Sequence, residues 1–209
     1  LRDRMERGGE GFDNIAGMVG WENIIMSTLN TPANKRFEGM TVQDIAKARG
    51  TDPVDCVCDM LIEENCAITM IDFITCEEDI ARILNCGFAS VISDSIYPTS
   101  GRPHPRLYGT YARIIQRFVR ERRDMTLEAA VKAMTYTPAK ALNIADRGLL
   151  KEGLCADVNV FDPAEVKERG SYADPDKCAA GMDYVFVNGK PAIAAGELTG
   201  GAFGQVIRR

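Results

Sequence analysis

The sequence predicts an α/β protein, with parallel α/β units in residues 1–145 and a small β-rich part in residues 146–209. Residues 67–74 and 88–94 are apolar, β-rich runs, and residues 77–84 between them have helical spacing. A strand, a helix and a strand with short connections form a βαβ unit, which requires parallel strands. Beyond residue 145 the apolar period changes to two, which is typical of strands.

The elements before this unit are predicted from local signals. Residues 22–26 have the composition of a short strand. Thr41 and Asp44 resemble a capping box, which predicts a helix over roughly residues 42–49. Pro53 suits the first position of a further helix. The buried face of that helix is predicted to contain Val54, Val57 and Leu61. A second capping box, at residues 75–78, predicts the start of the helix in the βαβ unit.

The elements after residue 106 are helical first and β-rich later. Residues 107–123 fit one long amphipathic helix, whose arginine-rich face we expect to be solvated. Two shorter helices are predicted, from Thr126 and from Thr137. Residues 156–162 form a predicted strand. The dipeptide Asn188-Gly189 between two apolar runs predicts a hairpin on a type I′ turn.

Composition limits the classes of function. The chain has 209 residues, is 45% hydrophobic and carries a net charge of −5, which gives no electrostatic reason to expect nucleic acid or an anionic membrane as a partner. No apolar run approaches the length of a membrane span. The seven cysteines are odd in number and lack CxxC spacing. We therefore expect buried free thiols and a cytoplasmic location.

Several side chains are candidates for a site, and each has two interpretations. Asp94 ends an apolar run, where barrels hold catalytic acids, but it could equally cap a turn. His104 is the only histidine, so a histidine cluster is excluded. Its side chain could bind a metal ion or simply form a hydrogen bond with the backbone. Arg106 suits bidentate capture of a carboxylate or pairing with a protein acid. The residues that end the strand beside Asp94 could form a pocket or pack under a loop; they are Phe73, Ile74 and Thr75.

Several segments together resemble the carboxyl-terminal part of the amidohydrolase superfamily, most closely the N-acyl-D-amino-acid deacylases (D-aminoacylases). The similarity covers roughly residues 20–209, and the segment from Ser93 to Thr110 narrows it to the deacylases. Ser95 and Asn143 each stand at a position where the family commonly has Gly. The matching segments are Glu77-Glu78-Asp79-Ile80-Ala81-Arg82-Ile83-Leu84, Ser93-Asp94, His104-Pro105-Arg106-Leu107-Tyr108-Gly109-Thr110, Met134-Thr135, Pro138-Ala139-Lys140-Ala141-Leu142, Arg147-Gly148, Gly153-Leu154-Cys155-Ala156-Asp157, Val185-Phe186-Val187-Asn188-Gly189 and Gly196-Glu197-Leu198-Thr199-Gly200.

The resemblance implies a fold and a reaction. The fold would be the C-terminal part of a TIM-like (β/α) barrel followed by part of a small β-sandwich. The reaction would be hydrolysis of the amide of N-acyl-D-amino acids, with zinc polarising the carbonyl and lowering the pKa of a bound water to roughly 7. The family's metal ligands lie mainly on earlier strands, so none is expected in this chain. The chain would then be an inactive fragment that self-associates or pairs with a missing amino-terminal part.

The resemblance also assigns roles to residues. Asp94 would take the water's proton and pass it to the leaving amine. Arg106 would bind the substrate with Phe73, Ile74 and Thr75, and His104 would support a neighbouring group without touching the substrate. The small-molecule partner would be an N-acyl amino acid. Two alternatives remain: a cyclic amidohydrolase like the dihydroorotases and hydantoinases, or a non-catalytic scaffold module derived from a barrel.

Overall fold

The computed structural model describes residues 2–11, 13–97 and 100–207, which form two units. The first contains residues up to Cys76 with Ser95–Leu107 and Ser171–Asp176. The second contains Glu77–Asp94 and Tyr108–Gly170 with the residues from Lys177 on. The boundary predicted near residue 145 stays a prediction.

The first unit combines helices with a two-stranded antiparallel sheet. Its helices are α1 (Arg2–Arg7), α2 (Ile15–Val19), α3 (Val42–Arg49) and α4 (Pro53–Glu63), with 3₁₀ turns at Trp21–Asn23 and Lys35–Phe37. Its strands are β1 (Ile24–Thr28) and β2 (Thr69–Asp72). In the sheet, Ile25 lies opposite Ile71 and Met26 opposite Met70.

Helices α3 and α4 begin where the sequence predicts. The Thr41 hydroxyl accepts the Asp44 N–H at 3.1 Å, and the Asp52 carboxylate accepts the Val54 N–H at 2.9 Å. Each bond satisfies an amide at a helix start that lacks a partner within the helix. The predicted buried face of α4 is partly wrong, since Val57 and Leu61 are only half-buried. The core of this unit contains Ile24, Met26, Leu29, Phe37, Val42, Ile45, Ala46, Cys56 and Met60.

The remaining helices follow the predicted order. They are α5 (Glu77–Leu84), α6 (Arg106–Arg113), α7 (Leu127–Met134) and α8 (Tyr136–Ala141), and a π-helix over Ile114–Glu121 continues α6. The predicted long helix is therefore confirmed, although its second half is wound more widely than an α-helix. Helix α5 begins at Glu77, within two residues of Thr75, and the capping box at residues 75–78 stays a prediction.

The predicted strand over residues 88–94 is wrong. Residues 89–97 have no regular secondary structure. Val91 is buried and its N–H donates to the Ala133 carbonyl at 2.9 Å, whereas Phe88 and Ile92 are 84% and 67% exposed. A parallel strand needs a neighbouring strand for its backbone groups, and the described part of the chain supplies none here. The predicted βαβ unit is therefore absent from the described residues, in which both sheets are antiparallel.

The predicted hairpin near the carboxyl end is confirmed. Strands β3 (Val158–Phe161), β4 (Met182–Val187), β5 (Lys190–Ala194) and β6 (Glu197–Leu198) form one antiparallel sheet in that order. Asn188 and Gly189 connect β4 to β5 with φ angles of 52° and 76°. Positive φ at both central residues defines the type I′ turn, which favours Asn-Gly.

Several arginines of the long helix bond to protein groups, so the prediction of a solvated face is partly wrong, although Arg113 and Arg123 are exposed. Arg113, Arg117 and Arg122 bond to the Glu77 carboxylate at 3.1, 2.6 and 3.4 Å. The hydrogen bonds from Arg117 lower the pKa of Glu77, and the charges of the three arginines add to this. Arg120 donates to the Pro163 and Val166 carbonyls. These contacts connect α5, the π-helix and the segment after β3.

The cysteines are free but mostly not buried. All seven lie among the described residues and carry free thiols, as predicted, yet only Cys56 is buried and four are exposed. In residues 2–11, 13–97 and 100–207, no helix has both the length and the apolar character needed to cross a bilayer.

Candidate functional site

A cavity in the first unit contains two of the predicted site residues. It has a volume of about 90 Å³, below the roughly 300–1,000 Å³ of typical small-molecule sites. Met70 and Ile71 of β2 form part of its apolar wall, and His104 and Arg106 line it from the loop before α6. Within this unit, the cavity therefore has room for one small chemical group.

The loop over residues 100–106, here called the proline segment, is held against the end of β1. The Ser27 hydroxyl donates to the Arg102 carbonyl at 2.5 Å, and the Arg102 N–H donates to the Ser27 carbonyl at 2.9 Å. The Thr28 hydroxyl donates to the Ser100 carbonyl at 3.3 Å. These hydroxyls line the cavity, but they donate to the backbone of the proline segment. Their structural role is to fix that segment.

His104 forms a turn with Arg106 inside this segment. Its Nδ1 accepts the Arg106 N–H at 3.0 Å, so in the neutral ring the proton is on Nε2. The Nε2 atom lies 3.4 Å from the Tyr172 hydroxyl. The Arg106 carbonyl in turn accepts the Ser95 hydroxyl at 3.2 Å. Backbone and side-chain bonds on both sides of Arg106 therefore fix the start of its side chain.

Phe73 joins the same cluster through Tyr172. The ring centroids of Phe73 and Tyr172 are 4.9 Å apart, and those of His104 and Tyr172 are 5.2 Å apart. Both pairs have the edge-to-face geometry that aromatic rings favour. The structure thus brings together Phe73, His104 and Arg106 of the predicted residues. Ile74 and Thr75 are exposed and are not among the described residues that line the cavity.

Asp94 belongs to the second unit, where its side chain is exposed. It follows the buried Val91 and has a left-handed backbone with φ of 47°. Asp and Asn tolerate this conformation better than most residues with a side chain. Strained backbone of this kind is frequent at functional sites. The left-handed position falls on Asp94 itself and not on Ser95, where the family commonly has Gly.

The described residues do not fit a zinc site. Zinc in proteins takes three or four His, Cys, Asp or Glu ligands. The described part of the chain contains no cluster of three or more such side chains able to hold a metal ion. Any chemistry supplied by zinc therefore requires ligands beyond these residues.

Tyr172 was missed by the sequence analysis because its segment has no apolar periodicity. The available signal was turn chemistry, since Ser171 and Asp174 are typical turn residues. They bond reciprocally, with the Ser171 N–H donating to the Asp174 carbonyl at 3.0 Å and the Asp174 N–H to the Ser171 carbonyl at 3.1 Å. That pattern predicts a turn and gives no indication of which element Tyr172 contacts.

Comparison with known proteins assigns the family. Residues 30–193 match the model of the Amidohydrolase family, and the chain belongs to that family. It is 38% identical to an N-acyl-D-glutamate deacylase and 36% identical to a D-aminoacylase, both from Alcaligenes xylosoxydans xylosoxydans. These matches cover 79% and 83% of this chain but 32% and 34% of the relatives. The chain therefore spans about a third of the length of the curated relatives that it matches.

Two solved structures are similar to this chain. A crystal structure of a D-aminoacylase matches 89% of the chain with a TM-score of 0.79 and 32% identity. An N-acyl-D-glutamate deacylase from Bordetella bronchiseptica, solved with zinc and a phosphonate mimic of the tetrahedral intermediate, matches 93% with a TM-score of 0.80 and 34% identity. The chain covers 38% and 39% of these proteins. The amidohydrolase fold class is thus supported by both sequence and structure.

Proposed function

We propose that this chain is the carboxyl-terminal part of a zinc-dependent amidohydrolase that releases amino acids from N-acyl-D-amino acids. The observation that carries the proposal is the match to the phosphonate-bound N-acyl-D-glutamate deacylase, at 34% identity over 93% of the chain. An N-acyl-D-aspartate deacylase at 33% identity agrees with it. Residues 1–145 would complete a TIM-like barrel, and residues 146–209 would belong to a small β-sandwich.

Asp94 is the proposed proton-transferring group. A carboxylate accepts a proton from the attacking water and returns it to the amine as the amide C–N bond breaks, which balances the hydrolysis. The exposed side chain of Asp94 and its left-handed backbone support this role. The zinc ligands would come from the remainder of the enzyme, because the described residues contain no suitable cluster.

Arg106 is the proposed partner of the substrate carboxylate. Every N-acyl amino acid carries this group, and a guanidinium binds carboxylates with two parallel hydrogen bonds. Arg106 lines the cavity with His104 and is fixed at its backbone on both sides. Phe73, Ile74 and Thr75 would contact the amino-acid side chain, and His104 would hold the turn.

The isolated chain would be inactive and would self-associate or pair with the remainder of the enzyme. Apolar side chains such as Phe88, Ile92 and Leu150 are 84%, 67% and 86% exposed, and exposed apolar surface promotes association. A monodisperse monomer in size-exclusion chromatography with light scattering would contradict this. The free thiols agree with a cytoplasmic location.

The test is a substrate panel with the protein as its source makes it. The panel contains N-acetyl-D-glutamate, N-acetyl-D-aspartate and an N-acetyl-D-amino acid with an apolar side chain, each beside its L form. We expect release of free amino acid from the D forms. Release from none of them contradicts the proposal. Hydrolysis of dihydroorotate or a hydantoin instead would identify a cyclic amidohydrolase, and no hydrolysis at all would favour a scaffold module.

A further inference from the structure

We propose that Tyr172 is a positioning residue, which holds the turn between His104 and Arg106 in the geometry that places Arg106 for the substrate carboxylate. The inference rests on the proposed function, because Arg106 meets that carboxylate only in an enzyme that acts on N-acyl amino acids. Tyr172 itself is not proposed to contact the substrate.

Tyr172 and His104 are in direct contact through their rings. The Tyr172 ring packs edge-to-face on both His104 and Phe73, with centroid distances of 5.2 and 4.9 Å. Tyr172 is itself 41% exposed, so its ring does not fill a closed core. Packing between two site residues is what its position provides.

His104 is in turn bonded to the backbone of Arg106. Because Nδ1 accepts the Arg106 N–H, the neutral imidazole has its proton on Nε2, where it points at the Tyr172 oxygen. Rotation of the imidazole would break both interactions together. Pro103 and Pro105 are buried on either side of His104 and restrict the backbone there. Tyr172 therefore acts on the Arg106 backbone through one rigid ring.

A turn formed by Ser171 and Asp174 supports Tyr172. Ser171 and Asp174 close a turn around it with two reciprocal backbone bonds of 3.0 and 3.1 Å. Pro175 follows and is buried. The loop over Ser171–Asp176 belongs to the first unit together with the proline segment. Tyr172 is thus presented by a preformed turn, which is what a positioning residue requires.

A positioning role predicts a particular kinetic change. The substrate carboxylate has the same charge in the ground state and in the transition state, so its bond to Arg106 contributes equally to both. Loss of Tyr172 should therefore raise KM and leave kcat nearly unchanged. A general loss of folding would instead lower the amount of active enzyme and so reduce the apparent kcat.

The test compares variants of the full enzyme on its best N-acyl-D-amino acid. We expect Tyr172→Ala to raise KM about tenfold with kcat within about twofold, since small displacements of binding groups have large effects. Tyr172→Phe keeps the ring and should raise KM by about threefold or less. Tyr184→Ala is the control, because Tyr184 is equally exposed at 40% and stacks on Phe186 in β4. Equal effects of Tyr172→Ala and Tyr184→Ala would overturn the inference.

A second readout does not depend on activity. The ring resonances of His104 are identified in histidine-labelled protein by their loss in His104→Gln. Tyr172→Ala should shift them because the ring current of Tyr172 is lost, and Tyr184→Ala should not. Unchanged His104 resonances in Tyr172→Ala overturn the inference. An enzyme that hydrolyses no N-acyl-D-amino acid overturns the proposed function instead, and the His104 spectrum still decides whether Tyr172 holds that ring.

Discussion

The exposed Asp94 stands at a left-handed backbone position, with φ of 47°. Most replacements there would change the backbone as well as the charge. Asn is the exception, because it has the shape of Asp and tolerates the left-handed region. An Asp94→Asn variant therefore separates the loss of a proton acceptor from a change in the loop.

We expect Asp94→Asn to lower kcat of the full enzyme by about 10²–10⁴-fold, the usual contribution of a general base or acid. Circular dichroism and the melting temperature should stay as in the unaltered enzyme. Asp59→Asn is the control, since Asp59 is an exposed carboxylate on α4. If Asp94→Asn retained full kcat, Asp94 would only shape the turn.

A second carboxylate, Glu64, is 3% exposed and organises the loop after β1. It accepts the N–H groups of Asn30 at 2.6 Å and Thr31 at 3.1 Å, the Thr31 hydroxyl, and the Asn34 amide at 2.9 Å. Burial raises the pKa of Glu64, but these hydrogen bonds outweigh it and lower the pKa to about 2. The charged form is therefore the one that the folded chain favours.

We expect Glu64→Gln to destabilise the protein by about 2–4 kcal/mol at pH 7, because an amide cannot accept all of these donors. The folded pKa lies below the ordinary 4.5, so the contribution of Glu64 is complete above pH 4.5 and is lost as the pH falls toward 2. Urea unfolding should therefore show that the free energies of unfolding of the unaltered protein and of Glu64→Gln differ less at pH 3 than at pH 7. An equal difference at both pH values would contradict this, and the exposed Glu10→Gln is the control.

At the scale of elements, local chemistry could be predicted from the sequence. Thr41 and Asp52 cap their helices, and Asn188-Gly189 forms its turn, because each depends on residues only a few positions away. Residues 88–94 have strand-like composition without a strand partner, so pairing decided their conformation against propensity.

The candidate site was predictable in part for the same reason. His104 and Arg106 bond within one turn, and both were identified from their own segment. The contribution of Tyr172 depends on ring contacts with residues far away in the chain. The contacts of Glu77 with three arginines are equally nonlocal. The sequence shows which side chains could form such long-range contacts. It does not show which of them meet in the folded chain, because that depends on how distant elements pack.

The proline segment provides the prediction at this scale. Gly101 has φ of 88°, and a Cβ there would lie 2.5 Å from the Thr28 hydroxyl and 2.9 Å from the Ser27 carbonyl. Gly101→Ala should therefore push the segment off β1, destabilise the protein by about 1–3 kcal/mol and raise KM. Gly9→Ala is the control, because a Cβ at Gly9 meets open space. Unchanged stability and KM in Gly101→Ala would show that the segment is not held at this point.

At the scale of the whole molecule, the chain belongs to the amidohydrolase family. It spans about a third of the length of the curated relatives that it matches. Asp94 and Arg106 belong to different units of the chain, and the described residues offer no metal cluster. A deacylase built from these residues therefore needs further chain to supply the zinc ligands.

The most direct test of this account is the intact mass and zinc content of the polypeptide that the source organism makes. The account predicts a chain of more than about twice the 22.9 kDa of these residues, as expected for a barrel with a sandwich domain, carrying bound zinc. A zinc-free polypeptide of 22.9 kDa would contradict it and would favour a scaffold module.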